Sequence, residues 1–120
     1  MEPINTYSSI YPTEVTNRET SDLINVFLGE KVEVELNDLW TSEHSLKKSI
    51  PITLRYEDQC YVVTQEELNM WGESSTMQGA EKELAFEIVK LYERLLSLEN
   101  QNVLGPYPQE LLAYLKQFIS

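Results

Sequence analysis

The chain contains very little of the side-chain chemistry from which disulfides and metal sites are built. Its 120 residues include one cysteine, Cys60, and one histidine, His44. An internal disulfide, a closed zinc site and a two-histidine metal centre are therefore excluded. Long apolar runs are also missing, whereas a membrane-spanning helix needs about 20 consecutive apolar residues. We expect no membrane segment, no metal and no cofactor.

Basic residues are scarce relative to acidic ones. Nine lysines and arginines stand against twenty aspartates and glutamates, which gives a formal net charge of −11. This charge repels the phosphates of nucleic acids and anionic lipids, and it favours a basic protein partner. The N-terminus begins Met1, Glu2, Pro3 and lacks the basic and apolar regions of a secretory signal, so we expect a cytoplasmic protein.

The common catalytic motifs do not occur. The chain has no G-x-G-x-x-G, no G-x-x-x-x-G-K-[ST], no H-E-x-x-H and no G-x-S-x-G string. Cys60 and His44 could form a nucleophile and its base, but Cys60 follows a hairpin turn among apolar neighbours and His44 lies in a polar segment. This pattern favours a packed thiol and a solvated imidazole. We therefore predict no catalytic residues and a protein that is not an enzyme.

Alternating apolar residues predict an antiparallel sheet in the middle of the chain. Over 31–36 three apolar positions alternate strictly with charged ones, as in a half-buried strand. Residues 50–64 contain two β-rich runs around the polar Glu57, Asp58 and Gln59, which predicts a hairpin. A short further strand is expected around 68–72, and the polar residues 41–49 predict a loop.

Two amphipathic helices are predicted after the strands. Ser75 and Gln78 have the spacing of a capping box, and an apolar stripe at helical spacing follows. Its members are Leu84, Ile88, Leu91, Leu95 and Leu98. Gly105 and Pro106 interrupt the chain before a second apolar stripe over 108–119. We therefore predict an α+β fold, an antiparallel sheet of three to four strands with one long helix packed on it and a short C-terminal helix.

The N-terminal region differs in composition from the rest of the chain. Residues 1–22 carry serine, threonine and asparagine with scattered apolar positions, and we interpret them as an extended arm. The apolar cluster at 23–28 ends at Gly29 and suits either a short helix or a strand. The predicted organisation is an arm over 1–22 and a single α+β domain over 23–120.

The order of elements from the hairpin to the long helix resembles the HicB-like antitoxin family. Gly72, Glu73 and Ser74 match that family's glycine-acid-hydroxyl turn, and Ala80 with the run 87–93 is similar to its helix. The resemblance covers residues 50–98. It implies a fold similar to a truncated ribonuclease H sheet without the catalytic acids, with one long helix packed on antiparallel strands.

The resemblance also implies a function. A HicB-like antitoxin neutralises a small RNA-cleaving toxin by covering it, so we expect a non-enzymatic protein-binding module for a small basic partner. Members of the family often continue into a DNA-binding module, but only about twenty residues follow Asn100, and we expect no operator binding. The alternative is a self-associating structural or regulatory protein without a toxin partner. A sheet with one uncovered face predicts a homo-oligomer.

Candidate contacts with a partner lie on or beside the predicted sheet. Acidic side chains there would present a negative field that steers a basic protein. Trp40 and Trp71 each stand near the end of a predicted strand, where closure of the core is the expected role and an anchor for a partner is the other interpretation. The candidate partner-binding residues are Glu33, Glu35, Glu57, Asp58, Trp71 and Glu73.

Overall fold

The computed structural model describes residues 29–120, so the predicted arm and the apolar cluster at 23–28 lie outside the described residues. The strands are β1 (Val32–Leu36), β2 (Ile50–Glu57), β3 (Cys60–Gln65) and β4 (Met70–Ser74). The helices are α1 (Met77–Asn100) and α2 (Pro106–Lys116). The predicted α+β fold is confirmed, with four antiparallel strands, one long helix and a short C-terminal helix.

The sheet is a meander in the order β1-β2-β3-β4, so β1 and β4 are its two edges. In the middle of the sheet Leu54 pairs with Val32 on one side and with Val63 on the other. The hairpin between β2 and β3 turns through Asp58 and Gln59, whose φ angles are 52° and 64°. Two positive φ values at these positions give a turn whose twist matches that of the strands.

α1 packs directly on one face of the sheet at β4, and a glycine makes this close approach possible. A Cβ atom at Gly72 would lie 2.4 Å from the carbonyl oxygen of Ala80 and 2.7 Å from the amide nitrogen of Leu84. Both are backbone atoms of the helix, which cannot move aside as a flexible side chain does. The missing side chain at Gly72 therefore sets how closely α1 lies on this inner face.

The core positions of α1 follow the predicted stripe with two exceptions, Leu91 and Leu98, which are half-buried. Three members of the stripe are buried: Leu84, Ile88 and Leu95. Leu91 is only half-buried, whereas Tyr92 is buried. The ring of His44 packs edge-on against the ring of Tyr92, with 5.3 Å between the ring centres. The predicted loop thus covers the helix on the side of Tyr92. The spacing of apolar residues within the helix does not predict this burial, because the loop comes from another part of the chain.

The start of α1 differs from the prediction by one residue. Thr76, and not Ser75, is the N-cap, and its hydroxyl oxygen accepts a hydrogen bond of 3.0 Å from the Gly79 amide. The residues that match the family's glycine-acid-hydroxyl turn do not form a turn here. Gly72 to Ser74 are the last three residues of β4, and Ser75 and Thr76 alone connect the strand to the helix.

A buried amide joins α2 to the sheet. Gln65 has no exposed surface, and its Nε2 group donates to the carbonyl oxygen of Pro51 at 3.0 Å. The same nitrogen lies 2.9 Å from the Glu67 carboxylate and 2.9 Å from the Tyr114 hydroxyl, so its two N–H groups are shared among three acceptors, while Oε1 accepts from the Leu68 amide. The bond from Gln65 is the main cause that lowers the pKa of Glu67, and burial raises the pKa of Tyr114.

The predicted loop at 41–49 is held by the C-terminus of the chain. The Lys47 amide donates to the carbonyl oxygen of Phe118 at 2.6 Å, and the Ser120 amide donates to that of Ser45 at 3.0 Å. These bonds fix the segment that carries Trp40 and His44 along the side of α1.

Candidate functional site: the outer face of the sheet

The face of the sheet that points away from α1, called the outer face below, carries the predicted contact residues. In a strand, successive side chains point to opposite faces, so every second residue of each strand belongs to this face. The burial pattern and the pairing assign its members on the inner strands: Pro51, Thr53, Arg55 and Glu57 on β2, and Cys60, Val62 and Thr64 on β3. On the edge strands they are Glu33, Glu35, Trp71 and Glu73.

The structure brings five of the six candidate residues to this one face, and all six are exposed. Two carboxylates lie on the β1 edge, the tryptophan and a further carboxylate lie on the β4 edge, and Glu57 ends β2. Asp58 lies in the turn that follows. Glu33 and Trp71 stand in the same row of the sheet, connected through Thr53 and Thr64. Three strand spacings separate them, which is about 14 Å.

The centre of the outer face contains a cation that the predicted contact set omits. Arg55 lies on β2, and its Nη2 atom is 3.2 Å from Oε1 of Glu57, with both side chains about half exposed. A second ion pair joins Lys31 and Glu66 at 3.1 Å. In the sequence Arg55 alternates with the apolar Ile52 and Leu54, and this alternation could have placed Arg55 on the outer face. The outer face is thus acidic mainly along its edges.

The expectation that both tryptophans close the core is wrong. Trp71 is 59% exposed, and Trp40 is 38% exposed. Trp71 points outward because its neighbour Gly72 must face α1, and successive residues of a strand point to opposite faces. Trp40 lies beside α1 with the ammonium group of Lys82 5.9 Å from its ring centre. The sequence allows Trp71 to be interpreted either as closing the core or as an anchor for a partner, and its exposed position is compatible with the second interpretation.

The β4 edge is protected at one point by a side chain from α1. The amide of Glu73 donates a hydrogen bond of 2.9 Å to Oε1 of Glu83. An unpaired amide on an edge strand is a site for pairing with another chain, and Glu83 satisfies this one. The Glu73 side chain itself forms no ion pair within 4 Å with any residue in the range 29–120.

Concave regions lie beside the β1 edge and beside α2 in the described part of the chain. One of about 640 Å³ includes Glu33, Glu35 and Thr53 of the outer face in its lining. The other, of about 410 Å³, lies between the end of α1 and α2, where Lys116 pairs with Glu99 at 3.2 Å. The lining of the larger region also includes Glu66, Glu67 and Glu81, so the acidic surface continues beyond the β1 edge.

The residues considered for catalysis are not brought together. Cys60 is half-buried and pairs with Glu57 at the end of the sheet where β2 turns into β3. His44 lies in the segment that connects β1 to β2, at the opposite end of the sheet. His44 is half-buried, with its Nε2 atom 2.9 Å from the Glu93 carboxylate, so the expectation of a solvated imidazole is corrected. Glu81 on α1 is half-buried, and this burial raises its pKa.

Within residues 29–120 no three histidine, cysteine or carboxylate side chains cluster as metal ligands. Neither helix in this range is both long enough and apolar enough to cross a bilayer.

Comparison with protein-family models, with curated proteins and with solved structures gives no match to this chain. The relation to the HicB-like family stays a prediction that depends on the residues quoted above.

Proposed function

We propose that this protein is a non-enzymatic, antitoxin-like binding module that covers a small basic protein, such as an RNA-cleaving toxin, with the outer face of its sheet. The observation that carries the proposal is the distribution of side chains on that face. Exposed carboxylates follow the β1 edge and end β2, and an exposed tryptophan with a further carboxylate lies on β4. An aromatic anchor with acidic surroundings is suited to a basic partner.

Electrostatics supports the sign of the partner's charge. Glu33 and Glu35 form no ion pair within 4 Å with residues 29–120, so their charges act outward. A toxin that cleaves RNA needs positive charge to hold phosphates, and an acidic cover competes for that same surface. The formal net charge of −11 opposes nucleic acid as a ligand. A cytoplasmic location is part of this proposal, since a toxin of this kind acts on cellular RNA.

Self-association is the second candidate function, and the exposed Trp71 on the outer face favours it. A homo-oligomer would bury this tryptophan against another copy. The net charge of −11 on each copy acts against this arrangement, and Glu83 blocks part of the β4 edge. Sedimentation of the purified chain at high micromolar concentration distinguishes the two: a monomer removes self-association.

The first experiment identifies the partner by what it does. The tagged chain is purified from its host, and a co-purified protein is tested for RNA cleavage with and without added chain. We expect a small basic protein whose cleavage stops when the chain is added. A chain recovered only as a homo-oligomer, or a partner that is acidic, would contradict the proposal.

The second experiment tests the outer face. Association rates with the co-purified partner are measured at low and high salt for the chain and for a variant with Glu33, Glu35 and Glu57 changed to Gln and Asp58 changed to Asn. We expect the variant and high salt each to slow association about tenfold or more, with smaller effects on complex lifetime. The matched control removes four helix charges, through Gln at Glu87, Glu93, Glu99 and Glu110. Equal slowing by both variants would show net charge alone at work and would contradict the assignment to this face.

A further inference from the structure

The exposed rings of Trp40, Phe86 and Trp71 differ in the cations around them. On the α1 side of the molecule, the ammonium group of Lys90 lies 4.8 Å from the ring centre of Phe86, and that of Lys82 lies 5.9 Å from the ring centre of Trp40. Both distances are in the range of a cation–π contact. No cation among residues 29–120 lies over the ring of Trp71, although it is 59% exposed.

A carboxylate without a cation stands next to this ring. Trp71 and Glu73 are two residues apart on β4, so their side chains share the outer face with about 7 Å between their Cα atoms. The hydrogen bond from the Glu73 amide to Glu83 holds this part of the edge strand in place. The ring face and the carboxylate are therefore close enough to contact one ligand group together.

The strand beside them completes the surface. Thr64 pairs with Trp71, and Val62 pairs with Glu73. Val62 is only 5% exposed, so the surface that a ligand can contact here belongs to Trp71, Glu73 and the half-buried Thr64. Arg55, the cation on β2, already forms an ion pair with Glu57 at 3.2 Å. The charge at Glu73 is left for a group from outside the described chain.

We propose that Trp71 and Glu73 form a subsite for one arginine side chain of the basic partner. The guanidinium plane would stack on the indole ring and donate hydrogen bonds to the Glu73 carboxylate. Arginine fits better than lysine because its planar, weakly hydrated group can stack and bond at the same time. This assignment rests on the proposed function, since it specifies how the outer face contacts its partner.

The test compares two synthetic peptides of equal length and charge, hexa-arginine and hexa-lysine. The chain carries Trp40→Phe, so that the remaining tryptophan fluorescence reports Trp71. We expect hexa-arginine to change this fluorescence and to bind about two- to fivefold more tightly than hexa-lysine. Trp71→Leu and Glu73→Gln, measured by calorimetry, should each remove that preference, and Trp71→Phe should keep part of it. Glu110→Gln, an exposed carboxylate on α2, is the matched control and should leave the preference unchanged.

Three results would overturn the assignment. Equal affinity for the two peptides, an unchanged preference in Trp71→Leu, or an equal loss in Glu110→Gln would each show that no arginine subsite exists at Trp71. If the partner still associates in the salt-dependent way described above, only the subsite is wrong. If neither the peptides nor a basic partner bind, the proposed function fails with it. Amide spectra of each variant check that the fold is retained.

Discussion

The two exposed sides of this molecule use the same residue types in opposite ways. Along α1, Lys90 lies over Phe86 and is also 3.3 Å from the Glu87 carboxylate. On the outer face of the sheet, Glu73 and the ring of Trp71 have no such cation within the described residues. An exposed aromatic ring is therefore not sufficient to mark a contact surface. The outer face, where Glu33, Glu35 and Glu73 have no counter-charge within residues 29–120, is the side that gains most from a basic partner.

The two sides stay distinct only while α1 packs on the inner face of the sheet, and breaking that contact has the largest expected effect on stability. Leu84→Ala should lower the free energy of unfolding by about 2–5 kcal/mol, because Leu84 is fully buried between helix and sheet. Leu91→Ala should cost clearly less, since Leu91 is half-buried. Urea denaturation of both variants measures the difference. Equal losses would contradict the assignment of the core face.

The close approach of the helix to β4 is tested by a pair of glycine variants. Gly72→Ala places a Cβ atom against the helix backbone and should lower the free energy of unfolding by about 1–3 kcal/mol. At Gly105 an added Cβ would find its nearest neighbour at 3.9 Å, so Gly105→Ala should have little effect. Thermal denaturation compares them. If Gly72→Ala is as stable as the wild type, the helix does not lie on β4 as described.

Two carboxylates away from the edges should give opposite pH dependences. Hydrogen bonds led by that from Gln65 lower the pKa of Glu67 in the folded state. Its stabilisation is therefore present above the unfolded pKa and is lost as pH falls through the folded pKa. Burial raises the pKa of Glu81, so its protonated form favours folding and stability falls as pH rises through the folded pKa.

Gln substitutions separate these two contributions. Relative to the wild type, Glu67→Gln should be less stable at neutral pH and should lose less on acidification. Glu81→Gln should be more stable at neutral pH and should lose more on acidification. Urea midpoints between about pH 3 and pH 7 measure both. The same direction of change in the two variants would contradict the positions assigned to these side chains.

The smallest expected effect on stability is at the proposed contact itself. Trp71→Ala should change the free energy of unfolding by no more than about 0.5 kcal/mol, because most of the side chain is already exposed. The same change should weaken binding of a basic partner. A loss of stability similar to that of Leu84→Ala would place Trp71 in the core and end its role as an anchor.

The alternation of residues predicted the strands well because a half-buried strand has a fixed period of two. The charged positions between Val32, Val34 and Leu36 are the exposed ones in the structure, as predicted. The orientation of Trp71 was not predictable in this way, because Met70 and Trp71 are both large and apolar. The contact between Gly72 and α1 decides it, and this contact joins segments that only the tertiary fold brings together.

Buried polar groups were also beyond prediction from local pattern. Gln65 follows a β-rich run and reads as a strand end, yet it is fully buried. One of its partners is Tyr114, 49 residues further along the chain. The candidate contact residues were predictable as exposed charges beside strands. That five of them share one face follows from the register of the sheet, which their spacing along the chain does not determine.

The most direct test of the central claim is a map of where a basic ligand binds. Backbone amide chemical shifts of the full chain are recorded while hexa-arginine is added at low salt. We predict changes at Thr53, Thr64 and Trp71, with a shift of the Trp71 indole N–H, and little change along the exposed side of α1 at Phe86. Changes confined to α1, or no changes at all, would contradict the account.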